Sequence, residues 1–184
     1  REVEELIKRV EESSRDVERR LRESNEEVER STRRVAEEIK KSIDRVREIV
    51  ERVERKKERV SEDILRDIAR RVSEFVRRAN KRNEKIARDN RRRVREVLRR
   101  NREIVKRNKE LLDKVLEEIE RLPVDEKIVE RVRRVIEELK RRSDEIVKES
   151  ERSVRRVEKE TTELLEESSR AVERVERRLR ELVR

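Results

Sequence analysis

The apolar residues of this sequence recur with an 18-residue period, and that period constrains the fold more than any other feature. From the N-terminus, apolar residues and small serines follow steps of three and four. These positions are Val3, Leu6, Val10, Ser13, Val17, Leu21, Ser24, Val28, Ser31, Val35, Ile39, Ser42, Val46, Ile49 and Val53. Eighteen residues make five turns of a straight α-helix. A strict heptad would instead impose a left-handed supercoil. The period therefore predicts long helices that are nearly untwisted.

The same apolar period continues through the rest of the chain. In the middle of the sequence the recurring positions are Ile68, Val72, Ile86, Val94, Val97, Ile104, Leu111, Val115 and Ile119. Farther on, Ile128, Ile146, Leu164 and Leu182 are each 18 residues apart. One apolar stripe per helix is typical of helices that bury one face against neighbours.

Two capping sequences divide this pattern into three helices, since the chain contains no glycine. Pro123 is the only proline, and it pushes the preceding residue away from helical geometry. Asp125 and Ser61 are each suited to cap the helix that follows. We expect helices over about 1–59, 61–122 and 125–184, in a single domain that spans residues 1–184. Loops this short make sequential helices antiparallel neighbours. The predicted fold is all-α: an elongated antiparallel three-helix bundle with helices of about 60 residues.

Polar residues interrupt the three stripes at matching intervals. In an antiparallel pair of helices, the numbers of facing positions have a nearly constant sum. For the polar residues this sum is 121 or 125 between the first two helices, and 251 between the second and third. Four layers are predicted: Ser13–Asn108–Ser143, Ser24–Asn101–Ser150, Ser31–Asn90–Thr161 and Ser42–Asn83–Ser168.

Each predicted layer contains one amide and two hydroxyl groups, which can satisfy one another's hydrogen bonds. Complete networks are needed because an unpaired buried polar group costs about 1–3 kcal/mol. Such layers set the register, since sliding a helix by one turn would place amides against aliphatic side chains. The alternative is that Ser and Asn simply dilute an apolar surface. A second set of polar residues lies beside the stripes, and the sequence leaves open whether they are buried. They are Ser14, Asn25, Thr32, Asn80, Ser153, Thr162 and Ser169.

Several features of the sequence together resemble one class of protein. They are the straight repeat, the absence of Gly and Cys, the surface of Arg, Glu and Lys, and the periodic layers of Asn and Ser. They are similar to de novo designed parametric helical bundles with buried hydrogen-bond networks, and the resemblance covers the whole chain. It implies a man-made scaffold with high thermal stability and no evolved ligand. Most such designs end their helices with loops that contain glycine, and this chain does not.

The composition also excludes most kinds of chemistry. Without His or Cys, the chain lacks the usual nucleophile and base pairs and the commonest zinc ligands. Phosphate-binding loops require Gly, which is absent. Acidic pairs such as Glu4 and Glu5 alternate with Arg and Lys, as on a solvated helix face. We therefore predict no enzyme, and no catalytic, cofactor-binding or metal-binding residues.

Positive charge is concentrated in the middle helix. Residues 61–122 contain 21 Lys and Arg against 13 Asp and Glu, and this segment accounts for most of the net charge of +10. A surface for phosphates or acidic partners is one interpretation, and a solubilising face is the other. Phe75 is the only aromatic residue, so base stacking is absent. We expect no specific nucleic-acid recognition and keep nonspecific polyanion binding as a remote alternative.

Two interpretations of function remain open at this level. The first is a monomeric scaffold whose polar layers specify helix register and which requires no partner. The second is a subunit of a designed homo- or hetero-oligomer, in which flanking apolar residues cover another helical chain. Those residues are Ile7, Ile43, Leu98, Val105, Leu112, Val147 and Leu165. No membrane role is expected, because no stretch approaches about 18 apolar residues and the start of the chain has no apolar signal region. The chain should be soluble, with no natural location, and cytoplasmic if expressed recombinantly.

Overall fold

A computed structural model describes residues 2–183, apart from the side chain of Val183. It contains helix α1 (Glu2–Lys56), helix α2 (Glu62–Arg121) and helix α3 (Glu126–Val183). The three helices contain 55, 60 and 58 residues, and the described part of the chain has no strand. The all-α fold with three long helices is therefore confirmed. The predicted helix ends at residues 1 and 184 lie outside the described residues. The elongated, nearly untwisted shape stays a prediction, as does the single domain.

The first helix boundary follows from capping at Ser61. Helix α1 ends at Lys56, three residues before the predicted end, and the turn begins with hydrogen bonds from Lys57 N to Glu54 O (3.4 Å) and from Arg59 N to Lys56 O (3.0 Å). The Ser61 hydroxyl then accepts a hydrogen bond from the backbone N–H of Ile64 at 3.4 Å. Acidic residues begin α2 and basic residues end α1, so both helix ends are stabilised by the helix dipole.

Asp125 caps the last helix in the same way. Its Oδ1 accepts a hydrogen bond from Lys127 N (3.4 Å), while its backbone oxygen accepts from Ile128 N (3.0 Å) and Val129 N (3.2 Å). The two residues that flank Pro123 are also bonded to each other, since Val124 N donates to Leu122 O at 2.8 Å. The break occurs where the proline and the cap predicted it.

Contacts divide the chain into two compact units, each built from segments of all three helices. The first unit comprises Arg1–Glu29 and Arg93–Arg155, and it includes the turn between α2 and α3. The second unit comprises Arg30–Arg92 and Arg156–Arg184, and it includes the turn between α1 and α2. Within each unit, α2 runs antiparallel to α1 and α3.

The core of the first unit consists of aliphatic clusters between polar positions. Its largest cluster lies beside the α2–α3 turn and contains Val10, Leu112, Ile119, Val132, Ile136 and Leu139. Leu21, Val105 and Ile146 form a second cluster. The third cluster also has three buried residues, one valine from each helix: Val28, Val94 and Val154. Each fully buried aliphatic side chain contributes about 1.5–3 kcal/mol.

The core of the second unit follows the same plan. Ile39, Ile43 and Ala87 form one cluster. A larger one lies beside the α1–α2 turn and contains Val46, Val50, Val53, Leu65, Ala69, Val76, Val175 and Leu179. Polar layers therefore separate aliphatic clusters in both units.

The predicted core face is displaced by one residue at several positions. In α1, Ser13 is exposed whereas Ser14 is buried. In α2, Leu111 is 58% exposed whereas Leu112 is 3% exposed. A helix that packs against two neighbours buries a stripe wider than one row of residues, and periodicity alone does not show where its centre lies. Ile128 is also more exposed than predicted, at 38%, because it lies in the first turn of α3.

Buried polar layers as the candidate functional site

The asparagines of α2 and the hydroxyl residues of α3 that were predicted to face inward are all buried. Asn83, Asn90, Asn101 and Asn108 are 2–5% exposed. Their predicted α3 partners, Ser143, Ser150, Thr161 and Ser168, are 1–5% exposed. Burial on this scale removes water as a hydrogen-bond partner, so the bonds between helices decide what each layer does.

The layer around Asn83, in the second unit, joins all three helices. Asn83 Nδ2 donates to Ser42 Oγ of α1 at 3.1 Å and to Ser168 Oγ of α3 at 3.3 Å. Ser168 Oγ donates in turn to Asn80 Oδ1 at 2.9 Å. The structure thus brings the three predicted residues together and adds a fourth, half-buried asparagine.

In the layer around Asn90, side-chain hydrogen bonds join α1 and α2. Ser31 Oγ donates to Asn90 Oδ1 at 2.5 Å, and Asn90 Nδ2 donates to Thr32 Oγ1 at 3.0 Å. Thr161 is buried but donates to the backbone oxygen of Val157 in its own helix at 2.9 Å. A threonine hydroxyl readily reaches the carbonyl four residues earlier, which is why the predicted third member bonds within α3.

The layer around Asn101, in the first unit, uses Asn25 where Ser24 was predicted. Asn25 Oδ1 accepts hydrogen bonds from Asn101 Nδ2 at 3.2 Å and from Ser150 Oγ. Ser24 is only partly buried and makes no side-chain hydrogen bond in the part of the chain that the structure describes. The longer amide of Asn25 reaches both other helices, which a serine hydroxyl at the neighbouring position does not.

The layer around Asn108 is not connected between helices. The predicted α1 member, Ser13, lies at the surface, and Ser14 occupies the core position with 2% exposure. Ser143 donates to Lys140 O in its own helix at 3.0 Å. Among residues 2–183, Asn108 Nδ2 and Ser14 Oγ have no hydrogen-bond partner. This layer carries a desolvation cost that the other three layers avoid.

Glu18 is a buried acidic residue that the sequence interpretation missed. Its side chain is 6% exposed, and Oε2 accepts a hydrogen bond from Arg142 Nη2 at 3.1 Å. Its other oxygen, Oε1, is unpaired within the described residues. The sequence contains a signal for this pair, because a Glu and an Arg recur 36 residues, or two repeats, after Glu18 and Arg142. These two residues, Glu54 and Arg178, form an ion pair at 3.5 Å.

Charged side chains between α2 and α3 follow a constant register in each unit. In the first unit the ion pairs are Arg102–Glu151 at 2.6 Å, Lys109–Asp144 at 2.6 Å, Glu120–Arg133 at 2.9 Å and Asp113–Lys140. In the second unit Arg77 pairs with Glu176 at 2.5 Å. The two position numbers add up to 253 in every pair. Part of the positive charge of α2 is therefore neutralised by α3.

The residues whose burial the sequence left open divide into three groups. Ser14 and Thr32 are buried in α1, and Asn25 of the same helix is half-buried beside the layer around Asn101. Asn80, Ser153 and Ser169 are half-buried, and Ser153 Oγ donates to Glu29 Oε1 of α1. Thr162 is exposed, where it accepts a hydrogen bond from Arg91 Nη2 at 3.4 Å.

The clearest pKa shifts belong to exposed residues. A hydrogen bond from Arg141 holds the pKa of the Glu138 carboxyl below its ordinary value, and the same bond raises the pKa of the Arg141 guanidinium. Both groups lie in solvent, so this pair is an intrahelical surface interaction of α3. Residues 2–183 contain no cluster of three or more His, Cys, Asp or Glu side chains that could hold a metal ion. Within the same range, no helix is both long and apolar enough to cross a membrane.

Comparison with known proteins identifies a similar fold. No family model and no curated protein sequence matches the chain. A solved structure described as "Computationally designed three helix bundle" is similar, with a TM-score of 0.58 and 18% sequence identity. The match covers 99% of this chain and 84% of that one. The likeness confirms the three-helix bundle, and it agrees with the resemblance to designed bundles that the sequence pattern indicated.

Proposed function

We propose that this chain is a designed structural scaffold with no natural biochemical activity, in which buried Asn, Ser and Thr residues specify how the helices align. The observation that carries the proposal is the double hydrogen bond of Asn83, which donates to Ser42 on α1 and to Ser168 on α3. One side chain thereby fixes two helices relative to a third. The fold similarity to a computationally designed bundle supports the same conclusion.

The polar layers can specify the register because the apolar contacts are nearly the same in neighbouring registers. Leu, Ile and Val recur every three or four residues, so a helix displaced by one turn still meets apolar side chains. The hydrogen bonds of Asn83 have no such equivalent. Displacing α2 by one turn would leave its amide and two hydroxyls unpaired, at about 1–3 kcal/mol for each buried group. The polar layers therefore penalise wrong registers more than they stabilise the correct one.

The same proposal includes the absence of enzymatic activity. Serine nucleophiles are most often activated by a neighbouring His, and the chain contains no His. Among the described residues Glu18 is the only buried carboxylate, and Arg142 holds it through a hydrogen bond. These features support a structural role for the buried polar groups.

Replacing the Asn83 layer by aliphatic residues tests the proposal. In a variant with Ser42→Val, Asn83→Leu and Ser168→Val, we expect equal or higher stability because no polar group remains buried there. We also expect a less well-defined register. It is measured as the distance between two spin labels, attached to cysteines introduced at the exposed positions 88 and 163 by Arg88→Cys and Glu163→Cys. The parent should give one narrow distance distribution. The variant should give a broader one, or a second peak displaced by up to about 5 Å, one helical turn.

The matched control keeps the hydrogen bonds while changing the same positions. Ser42→Thr with Ser168→Thr retains both hydroxyls beside Asn83, so its distance distribution should stay as narrow as that of the parent. A single narrow peak in the aliphatic variant would overturn the proposal, because register would then be set without the layer. Unfolding of that variant would assign the layer to stability instead.

The alternative proposal, a subunit of a helical oligomer, depends on apolar residues that would cover a partner. Ile43, Val105 and Leu112 are 3–5% exposed within the chain itself. The other four residues of that set, Ile7, Leu98, Val147 and Leu165, are half-buried against the same aliphatic clusters. Their packing supports the monomeric scaffold over the oligomer.

Nonspecific polyanion binding remains the remote alternative. Three cations of α2, Arg77, Arg102 and Lys109, pair with acidic residues of α3, which reduces the charge available to a polyanion. Phosphate contacts weaken steeply with salt. A DNA complex that survives about 0.5 M salt in a mobility-shift assay would therefore contradict the nonspecific interpretation.

A further inference from the structure

A cleft between α1 and α2 in the second unit contains the only aromatic side chain of the protein. Its volume is about 540 Å³. Phe75 lines the cleft and is 43% exposed, although it is a large apolar residue. Ser42 and Ala79 line it from opposite helices, and these small side chains leave space between the two backbones.

The charge around this cleft is unbalanced. Lys41 and Arg45 approach it from α1, and Arg78 and Arg82 approach it from α2. Glu38 is the only acidic residue in its lining. Between α2 and α3, by contrast, ion pairs join residues of opposite charge.

The cations of the cleft are also free of strong partners. Arg78 lies 4.0 Å from Glu74 of its own helix, at a site where both side chains are exposed. Over residues 2–183, Lys41, Arg45 and Arg82 form no ion pair. Four cations against one carboxylate create a positive potential that favours an anion.

We propose that this cleft binds a small aromatic anion, with the ring stacked on Phe75 and a sulfonate or carboxylate held by the guanidinium groups of Arg45 and Arg82. The volume falls within the range of about 300–1,000 Å³ typical of small-molecule sites. Aromatic stacking and charge-assisted hydrogen bonds from Arg supply the two kinds of attraction that such a ligand needs. The requirement for Phe75 separates this site from a general polyanion surface, which uses charge alone.

The site is tested with 8-anilinonaphthalene-1-sulfonate as the probe. Fluorescence titration of the full chain should show one saturable site, and amide chemical-shift changes should be confined to residues near 38–45 and 75–83. Phe75→Ala and the double variant Arg45→Gln with Arg82→Gln should each weaken the affinity at least about tenfold, since each removes one of the two attractions. All these positions are exposed, so the variants should keep the circular dichroism spectrum of the parent.

Matched controls separate the site from adsorption to a cationic surface. Leu111→Ala removes another exposed apolar residue of α2, and Arg95→Gln removes an exposed arginine, both in the first unit and outside the cleft. Neither control should change the affinity by more than about twofold. Inorganic sulfate, which has no ring to stack, should not displace the probe at equal concentration. Equal weakening by the controls, or shift changes spread along the chain, would overturn the proposal.

Discussion

At the scale of single residues, neighbouring positions of α1 have opposite environments. Ser13 is exposed and Ser14 is buried, although both are serines next to one another in the same helix. The Ser14 hydroxyl has no hydrogen-bond partner among the described residues, so it is a buried polar group without compensation. Its desolvation works against folding, whereas Ser13 keeps its contact with water.

Substituting each of these serines by alanine should reveal the difference. Both substitutions gain the same helix propensity, so the contrast between them isolates burial. Ser14→Ala should raise the free energy of unfolding by about 1 kcal/mol or more relative to Ser13→Ala, because it removes an unpaired hydroxyl. Guanidinium titration followed by circular dichroism gives both values. Equal values would show that Ser14 finds a partner, such as an internal water.

The asparagines offer a second contrast between paired and unpaired groups. Asn90→Ala should cost about 1–3 kcal/mol, because it removes a buried amide that forms hydrogen bonds with both Ser31 and Thr32. Asn108→Ala should cost less, since its Nδ2 has no partner within residues 2–183. The same titration measures both changes. A larger loss for Asn108→Ala would contradict the hydrogen bonds seen in the two layers.

Arg142 is expected to matter more than a chemically equivalent arginine two repeats later. Arg142→Gln should destabilise the chain by about 1–3 kcal/mol, because it leaves the buried carboxylate of Glu18 without its charged donor. Arg178→Gln is the control and should cost less than about 1 kcal/mol, because Glu54 is 40% exposed and keeps its hydration. Thermal or guanidinium unfolding measures both changes. If the two variants lost the same free energy of unfolding, the burial of Glu18 would not contribute to the stability that Arg142 provides.

At the scale of helices, the charged pairs between α2 and α3 keep one constant register. In the first unit, Arg102 and Lys109 of α2 face acidic residues of α3, and the signs are exchanged at Asp113 and Glu120, which face Lys140 and Arg133. A displaced α2 would bring some of these residues against like charges. Each exposed pair contributes little on its own, so we expect the pattern to act mainly against wrong alignments.

Exchanging the charges of one pair tests this role. Arg102→Glu alone should destabilise the chain, because it places two carboxylates together at the position of Glu151. Adding Glu151→Arg should restore most of the loss, with a coupling energy of about 0.2–1 kcal/mol in a double-mutant cycle. Raising the salt concentration should reduce the coupling, since exposed charges are screened. A coupling of zero at low salt would mean that the pair does not contribute to alignment.

At the scale of the whole molecule, the apolar surface available to other chains is small. Among the described residues, the large hydrophobic side chains that remain exposed are Ile64, Phe75, Leu111, Leu122 and Ile128. Ile64, Leu122 and Ile128 lie near helix ends, so they do not form one continuous apolar stripe. The residues that flank the stripes are buried or half-buried against aliphatic clusters of this chain.

We therefore expect a monomer in solution. Size-exclusion chromatography with light scattering should give a mass near 22.7 kDa over a wide range of protein concentration. Charge repulsion from the net charge of +10 favours the same state, so high salt is the stringent condition for this measurement. A stable mass of twice that value or more would favour the oligomeric subunit.

The sequence by itself determined the number of helices and the places of the two turns between them. Pro123, Asp125 and Ser61 act through local geometry and hydrogen bonds within a few residues, so their effect is visible without the fold. It also determined that the α2 asparagines face inward, because an 18-residue period in a straight helix assigns positions to one face.

Only the tertiary structure decided which residues complete the layers. The rotation of α1 about its axis depends on packing against α2 and α3 together, and a shift of one residue selected Ser14 over Ser13 and Asn25 over Ser24. The same packing buried Glu18 beside α3, where Arg142 holds it. Periodicity marks a face of a helix, but two neighbouring helices decide which of two adjacent residues lies at its centre.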